Sequence, residues 1–519
     1  MARKKNAFRI EKDTLGEVRV PADALYGAQT QRAVENFPVS GLREHPVFIR
    51  SYLLIKKASA IANHQLGVLD RPRAEAISNA VDLILGGDQP SFKKLLAAGK
   101  RQRVGGKQNR MGDLRLSPPA AWIDEAYRDQ FVVDVFQAGA GTSFNMNCNE
   151  VLTTLANRTL GEKNPVNAND HVNMSQSTND TFPTAIRLAV LLLLRELLPT
   201  LDGLADSLSR KGDEFSDVIK SGRTHLQDAV PVTLGQEFAG WAAAVRRATD
   251  LIELAAEEVR ELGIGGTATG TGINSPTGFR YAIVGQLSAM TALDLQSQAD
   301  LREAMQSQLA IGAFSSAMRN LALELTRITN DIRLLASGPL TGLAEITLPA
   351  VQPGSSIMPG KVNPSMLECM NQICFHVIGS AATIDFALQA GQLELNVMMP
   401  LMAYEILFSM EIVKNYMPVF VEKCIDGIGA DRERCEAFYI ASPALATALN
   451  PIIGYARAAE ISKEAVKTQQ PIPDLIRSRR LLPESEIRKI FTPEFLAGQA
   501  DRGAESKPAS RKSKGTRKR

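Results

Sequence analysis

The chain has 519 residues, of which 45% are hydrophobic and 22% charged, with a formal net charge of only +3. That allows two or three domains with a large core, and leaves too little charge for the body to be an electrostatic binder of nucleic acid. The five cysteines, an odd number with no CxxC pair, argue against a disulfide framework or a zinc centre and fit a reduced, cytoplasmic setting.

The basic start Met1-Ala-Arg-Lys-Lys5 is followed by no apolar signal-peptide core. The longest apolar stretch, Leu188 to Leu194, is too short to span a bilayer, so no membrane partner is expected. Phe8 to Glu11 and Val18 to Val20 predict short strands. From Phe48 to about Gly86 the pattern is helical, interrupted near Gly67. Residues 88–128 place Lys93, Lys94, Lys100, Arg101, Arg103, Lys107, Arg110 and Arg115 among glycines and prolines, with few apolar anchors. This composition predicts a long, solvated surface insertion, partly mobile.

Three polar segments follow. In Phe136 to Asn147, glycines allow close backbone approach to a ligand, and Thr142 and Ser143 offer hydroxyls. Asn169 to Asp180 is unlike a core and runs into a helix with Pro183 near its start; its hydroxyls and amides sit where helix N–H groups are unpaired. Gly222-Arg-Thr-His225-Leu-Gln-Asp228 carries a histidine, a residue more often structural than catalytic when it stands alone. A long helix is expected from about Val232 to Leu262. Gly263-Ile-Gly265-Gly266-Thr-Ala268 formally matches a dinucleotide fingerprint, but a helix rather than a strand precedes it, which excludes that reading. Further helices are expected at about 300–336, 364–390 and 397–425. With the two earlier ones they make five long helices, a bundle pattern. A helix of about 30 residues spans about 45 Å, more than one subunit's core needs, so partners in other subunits are expected.

Between the third and fourth of these helices lies Gly354-Ser355-Ser356-Ile357-Met358-Pro359-Gly360-Lys361-Val362-Asn363-Pro364. Gly354, Pro359 and Gly360 forbid regular structure. Asn363 and Pro364 suit the cap and first position of a helix, and Ser365 with Glu368 has capping-box spacing. Two hydroxyls, a lysine and an amide are thus delivered to a helix N-terminus, a place that favours anions. A P-loop is excluded by the spacing to Gly360-Lys361 and by Val362 in place of a hydroxyl residue, whereas composition alone favours an ordinary surface loop, because Gly, Pro and Ser dominate loops generally.

This stretch resembles the signature loop of the aspartase/fumarase superfamily, Gly-Ser-Ser-x-Met-Pro-x-Lys-x-Asn, and the resemblance runs from about Ile10 to Phe495, interrupted at 88–128. It implies a mainly α, three-domain fold with a central long-helix bundle, tetramerising into a twenty-helix core with each active site built from three chains. It implies that Ser355 is the base that removes a proton beside a carboxylate. Ser356 would help bind that carboxylate, and Lys361 and Asn363 would hold the other. Thr142, Ser143, Ser177, Thr178 and Asn179 become substrate contacts; Thr224 and His225 face the reacting side, with Glu368 pairing the histidine. No cofactor and no metal are implied. The partner is a small dicarboxylate.

The leaving group separates the branches of the family: ammonia for the aspartases, water for the fumarases. Thr142-Ser143, Asn371 to Phe375 and Ala390 to Met398 resemble aspartases, and Asn167 stands where fumarases carry an accessory-site histidine. Gly360 and Ala28 to Arg32 suit a fumarase at least as well, and Leu340 departs from both. The aspartase branch is the expectation, the fumarase branch its alternative, and a non-catalytic scaffold with a basic tail the third. The domain division expected is 1–174, 175–430 for the five-helix bundle, 431–498 for a small helical domain, and a disordered basic tail at 499–519 with weak, salt-sensitive polyanion contact.

Overall fold

The structure, a computed structural model, describes residues 7–99, 112–161 and 164–498. The expected tail and residues 100–111 of the insertion lie outside the described residues. The chain packs as two compact units: residues 1–203, 245–327 and 368–419 form the first, and 204–244, 328–367 and 420–519 the second.

The first unit opens on the expected hairpin, β1 (Phe8–Asp13) paired antiparallel with β2 (Gly16–Pro21). Arg9 of β1 donates to the Ala24 and Tyr26 carbonyls at 2.7 and 2.6 Å, which fixes the turn into α1 (Ala28–Asn36). α2 (Pro46–Gln65) starts with Pro46 in its first turn and His45 capping it. It is buried on every face from Val47 to Asn63, so it is a central helix. Gly67, at φ +78°, ends it as expected. α3 (Arg71–Ile84) and α4 (Phe92–Gly99) follow.

Beyond residue 111 the insertion is anchored, contrary to a wholly solvated loop. Leu114 is fully buried. The Asp113 carboxylate accepts two bonds from Arg260 and the Asp294 N–H, all at 2.8 Å. Arg195 donates to the Asp113 carbonyl at 2.9 Å, and Arg115 pairs with Asp202 and Glu253. Distant partners thus hold the segment: Arg115 pairs with carboxylates far along the chain, and Asp113 is held by Arg195, Arg260 and the Asp294 N–H.

α5 (Glu125–Arg128) and α6 (Thr142–Leu160) lead to α7 (Thr178–Glu214), whose 37 residues span about 55 Å. α8 (Leu234–Val259), α9 (Phe279–Thr291), α10 (Leu301–Gln306), α11 (Leu309–Leu335), α12 (Ser365–Gln389) and α13 (Met399–Phe420) complete the main helices. The helix expected over 300–336 is broken. Ser307 is extended, and its hydroxyl accepts the Leu309 N–H to start α11. Within the first unit, α12 meets α13 through Ser380 donating to Glu405 at 2.5 Å and His376 edge-on to Phe408. Lys414 of α13 reaches Glu196 of α7 at 2.6 Å. Buried Arg187 of α7 donates to the Glu258 and Glu261 carbonyls, and burial draws its guanidinium down to about 10.

The second unit holds a hairpin that sequence periodicity missed: β3 (Ile219–Thr224) against β4 (Gln227–Thr233). Thr233 and Gln236 then form a reciprocal cap at the start of α8. Among the described residues six short helices follow α13: α14 (Arg432–Ala441), α15 (Asn450–Ile453), α16 (Tyr455–Thr468), α17 (Ile472–Ser478), α18 (Glu484–Ile490) and α19 (Pro493–Leu496). Their core is Leu445, Leu449, Ile461, Ile472, Leu475, Ile476 and Ile487. No helix among the described residues is long and apolar enough to cross a membrane.

Candidate active site

In the first unit, two helix starts meet. Thr142 and Ser143 open α6, and Ser177, Thr178 and Asn179 open α7. The Ser177 hydroxyl accepts the Asn179 N–H at 3.3 Å, while Asp180 accepts the Ser177 N–H at 3.0 Å. The other Asp180 oxygen takes the Gly265 and Thr267 N–H groups at 3.0 and 2.9 Å, and the Asn179 amide donates to the Ala268 carbonyl at 2.8 Å. The glycine-rich turn that mimicked a nucleotide motif is therefore a brace for the start of α7. Burial raises the Asp180 carboxyl to about 7, although three backbone N–H groups pull it the other way.

Beneath both starts lies an aromatic cluster. Phe48 packs at 5.4 Å on Phe144 and 4.9 Å on Phe182, and Tyr52 sits edge-on to Phe144. Gly141, at φ +81°, is pressed against Phe182: a Cβ there would lie 2.0 Å from the ring. Thr142 is exposed and Ser143 half-buried, so their hydroxyls stand above this floor.

Glu44 sets the level of α6. It accepts from the Gln137 amide at 3.0 Å, and Gln137 in turn accepts the Phe144 N–H at 3.0 Å. Burial above all, and then nearby Asp134, push the Glu44 carboxyl up to about 8. The unfolded group titrates near 4.5. Its contribution to stability is therefore complete below about 4.5 and is lost as pH rises through about 8. In Glu44→Gln this dependence disappears. The variant's melting temperature relative to the unsubstituted protein should rise steadily between pH 5 and pH 8; a difference constant with pH would refute a buried, protonated Glu44.

The second unit supplies the other candidates. Thr224 and His225 lie exposed at the tip of β3–β4. His225 and Leu226 both have positive φ, 56° and 59°, in a two-residue turn that ordinarily uses Asn-Gly. The strained tip sits on a buried charge cluster. Arg223 donates to both oxygens of fully buried Glu345 at 2.9 Å, and Lys220 lies 3.2 Å from Glu345 and 2.9 Å from Glu237. Such a buried carboxylate is tolerable only because it is paired. Burial raises the Glu237 carboxyl, with Lys220 opposing.

The loop of residues 354–364 closes on itself. The Gly354 N–H donates to the Lys361 carbonyl at 2.9 Å, and the Asn363 amide to the Gly354 carbonyl at 2.5 Å. A Cβ on Gly354 would lie 2.5 Å from both the Asn363 nitrogen and the Lys361 oxygen, so only glycine closes this loop. The Ser355 hydroxyl accepts two backbone N–H groups, Ile357 at 3.2 Å and Met358 at 2.9 Å. Donors aimed at that oxygen favour its anionic form. Ser356 and Lys361 are exposed and Asn363 half-buried. α12 starts at Ser365, one residue after the expected position, with Glu368 in its first turn.

The structure thus groups Thr142, Ser143, Ser177, Thr178 and Asn179 in the first unit, where Glu368 also belongs. Thr224, His225, Ser355, Ser356, Lys361 and Asn363 belong to the second. Sequence reasoning missed the supports: Lys56, Asn145 and Gln176 under the first group, Lys220 and Glu345 under the second. The adjacent lysines Lys56-Lys57 inside the apolar run Tyr52 to Ile61 were the available signal.

Comparison with known proteins matches residues 121–379 to a lyase family model and residues 445–498 to the fumarase C C-terminus model. An aspartate ammonia-lyase of Pseudomonas aeruginosa is 44% identical over 495 residues, covering 94% of this chain and 96% of that protein. The aspartate ammonia-lyase of Bacillus subtilis is 41% identical over 490 residues, covering 94% and 95%. Among solved structures, a fumarate lyase:delta crystallin of Brucella melitensis bound to cobalt has a TM-score of 0.84 at 43% identity, covering 95% of this chain and 100% of that one. A class II fumarase of Schistosoma mansoni has a TM-score of 0.83 at 32% identity, covering 95% and 99%.

Proposed function

We propose, since the chain belongs to the aspartase/fumarase superfamily, that it is an aspartate ammonia-lyase, reversibly eliminating ammonia from L-aspartate to give fumarate. One observation carries the choice within the family. The aspartate ammonia-lyases it resembles are 41–44% identical along almost the whole chain, against 32% for the class II fumarase. Asn167, which stands where fumarases carry an accessory-site histidine, instead caps the turn at 168–172, accepting the Asn169 and Asp170 N–H groups at 2.9 and 3.0 Å.

In this reading Ser355, as alkoxide, takes the proton from the carbon beside the far carboxylate. The electrons left behind spread into that carboxylate, an aci-carboxylate dianion that needs positive and N–H partners. Ser356, Lys361, Asn363 and the hydroxyls of Thr142, Ser143, Ser177 and Thr178, with the Asn179 amide, are assigned to the two carboxylates. Thr224 and His225 face the amine-bearing carbon, with Glu368 orienting the histidine. The electron pair then re-forms as the carbon–carbon double bond, the carbon–nitrogen bond breaks, and ammonia leaves with that bond's pair. The two N–H donors on the Ser355 oxygen support its role, since a serine is otherwise a poor base.

The same proposal includes a homotetramer with each complete site drawn from three chains, a three-part division at 174/175 and 430/431, and a cytoplasmic location. The exposed apolar side chains Leu323, Phe375 and Phe386 on α11 and α12 support assembly. The test of activity runs the reaction backwards. Fumarate with a high concentration of ammonium should lose its ultraviolet absorbance and yield L-aspartate. Hydration to malate without any aspartate would sink the reading.

A further inference from the structure

Lys56 and Lys57 sit side by side in the middle of α2, and both side chains are fully buried. Lys57 has an ordinary explanation: it pairs with Asp82 at 2.5 Å and donates to the Pro90 carbonyl at 2.9 Å. Lys56 is different. Its hydrogen-bond acceptors are three amide oxygens: Asn145 Oδ1 at 2.7 Å, Asn173 Oδ1 at 3.1 Å and Gln176 Oε1 at 3.1 Å. A buried ammonium without an adjacent carboxylate is costly, so its placement calls for a reason beyond packing.

The acceptors supply one. Asn145 is the fourth residue of α6, one turn from Thr142. Asn173 and Gln176 form the turn that delivers Ser177, and the Asn173 amide donates to the Gln176 carbonyl at 3.3 Å. The same atoms are knitted together. The Asn145 and Asn149 amides both donate to Asn173 Oδ1, at 3.1 and 3.2 Å, and the Tyr52 hydroxyl lies 3.2 Å from Asn145 and 2.8 Å from Thr181. An ammonium has three protons and meets three oxygens, one on α6 and two on the approach to α7. A methionine would remove all three of these bonds: Asn173 Oδ1 would keep its two amide donors and Asn145 Oδ1 the Tyr52 hydroxyl, but Gln176 Oε1 would lose its lysine donor.

We propose that Lys56 is a positioning residue, whose ammonium sets the spacing between the Thr142–Ser143 and Ser177–Asn179 corners that receive the substrate. This rests on the aspartate ammonia-lyase reading for its substrate, but not for its geometry. Burial draws the Lys56 amine down to about 7, while Asp180 of α7 acts in the opposite sense. Asp180 is itself fixed to the start of α7, so the lysine and the segment it braces are coupled twice.

The experiment uses full-length Lys56→Met and Gln176→Leu with two readouts. The first is amide hydrogen exchange without ligand. Residues 173–179 should exchange at least tenfold faster in Lys56→Met, while residues 186–204 inside α7 should not change. The second is steady-state kinetics. The KM for L-aspartate should rise at least tenfold in Lys56→Met, and several-fold in Gln176→Leu, with kcat falling less than KM rises. If Lys56→Met does not fold, Gln176→Leu carries the test through both readouts. Unchanged exchange with KM within twofold would overturn the proposal. Unsubstituted protein that forms no fumarate from aspartate would instead refute the functional reading, and the exchange measurement would still decide the role of Lys56.

Discussion

Replacing Ser355 by alanine lowers kcat for L-aspartate on the order of 10³-fold or more and leaves KM within a few-fold. The asymmetry follows from what the side chain touches. Ser355 Oγ is held by the Ile357 and Met358 N–H groups and by no other side chain that the described bonds connect to it. Its removal deletes the proposed base but leaves loop closure intact, because the Gly354–Lys361 and Asn363–Gly354 bonds close the loop independently. Lys361 and Asn363, the residues proposed to hold a carboxylate, therefore remain in place. Binding of fumarate, measured by calorimetry on the variant, should be close to that of the unsubstituted protein. A variant with kcat within tenfold of normal would take the role away from Ser355; one that loses binding and turnover together would make it a loop-shaping residue.

The second large effect is on stability. Gly141→Ala should cost about 3–5 kcal/mol, combining an unfavourable left-handed backbone with overpacking. The added Cβ would lie 2.0 Å from the Phe182 ring, and Phe182 is itself fully buried against Phe48 and Tyr52, so it has nowhere to go. The consequence should extend to function, since Phe182 follows Thr181 and lies just beyond the Ser177–Asn179 corner. Denaturant unfolding read by fluorescence and by activity should show both midpoints shifted down together. A midpoint within the error of the unsubstituted protein would mean that the ring can give way.

The long helices were legible because their cause is local: apolar residues recur at helical spacing, and punctuation such as Gly67 and Pro364 falls at the ends. The helix starts that carry the candidate residues were legible for the same reason, as hydroxyl and amide residues ahead of apolar runs. The β3–β4 hairpin was not. Lys220, Ser221, Gly222 and Arg223 read as a polar loop, and they become a strand because Glu345, over a hundred residues away, pairs with both basic side chains. The docking of Asp113 on Arg260 is hidden in the same way, since charge runs carry no mark of their distant partners. Ser307 breaks a helical pattern that periodicity alone would continue. Lys56 shows the limit most clearly: a lysine in an apolar run signals burial, but only three-dimensional structure shows that its acceptors lie on α6 and on the turn before α7.

The two branches of the family share their reaction geometry and differ in the group expelled, so the leaving group is the central claim. The measurement is the rate of fumarate formation, by ultraviolet absorbance, from L-aspartate and from L-malate at equal concentration with the same purified protein. The account predicts rapid fumarate formation from aspartate and a rate at least tenfold lower from malate. A rate from malate tenfold or more above that from aspartate would contradict it and make the protein a fumarate hydratase.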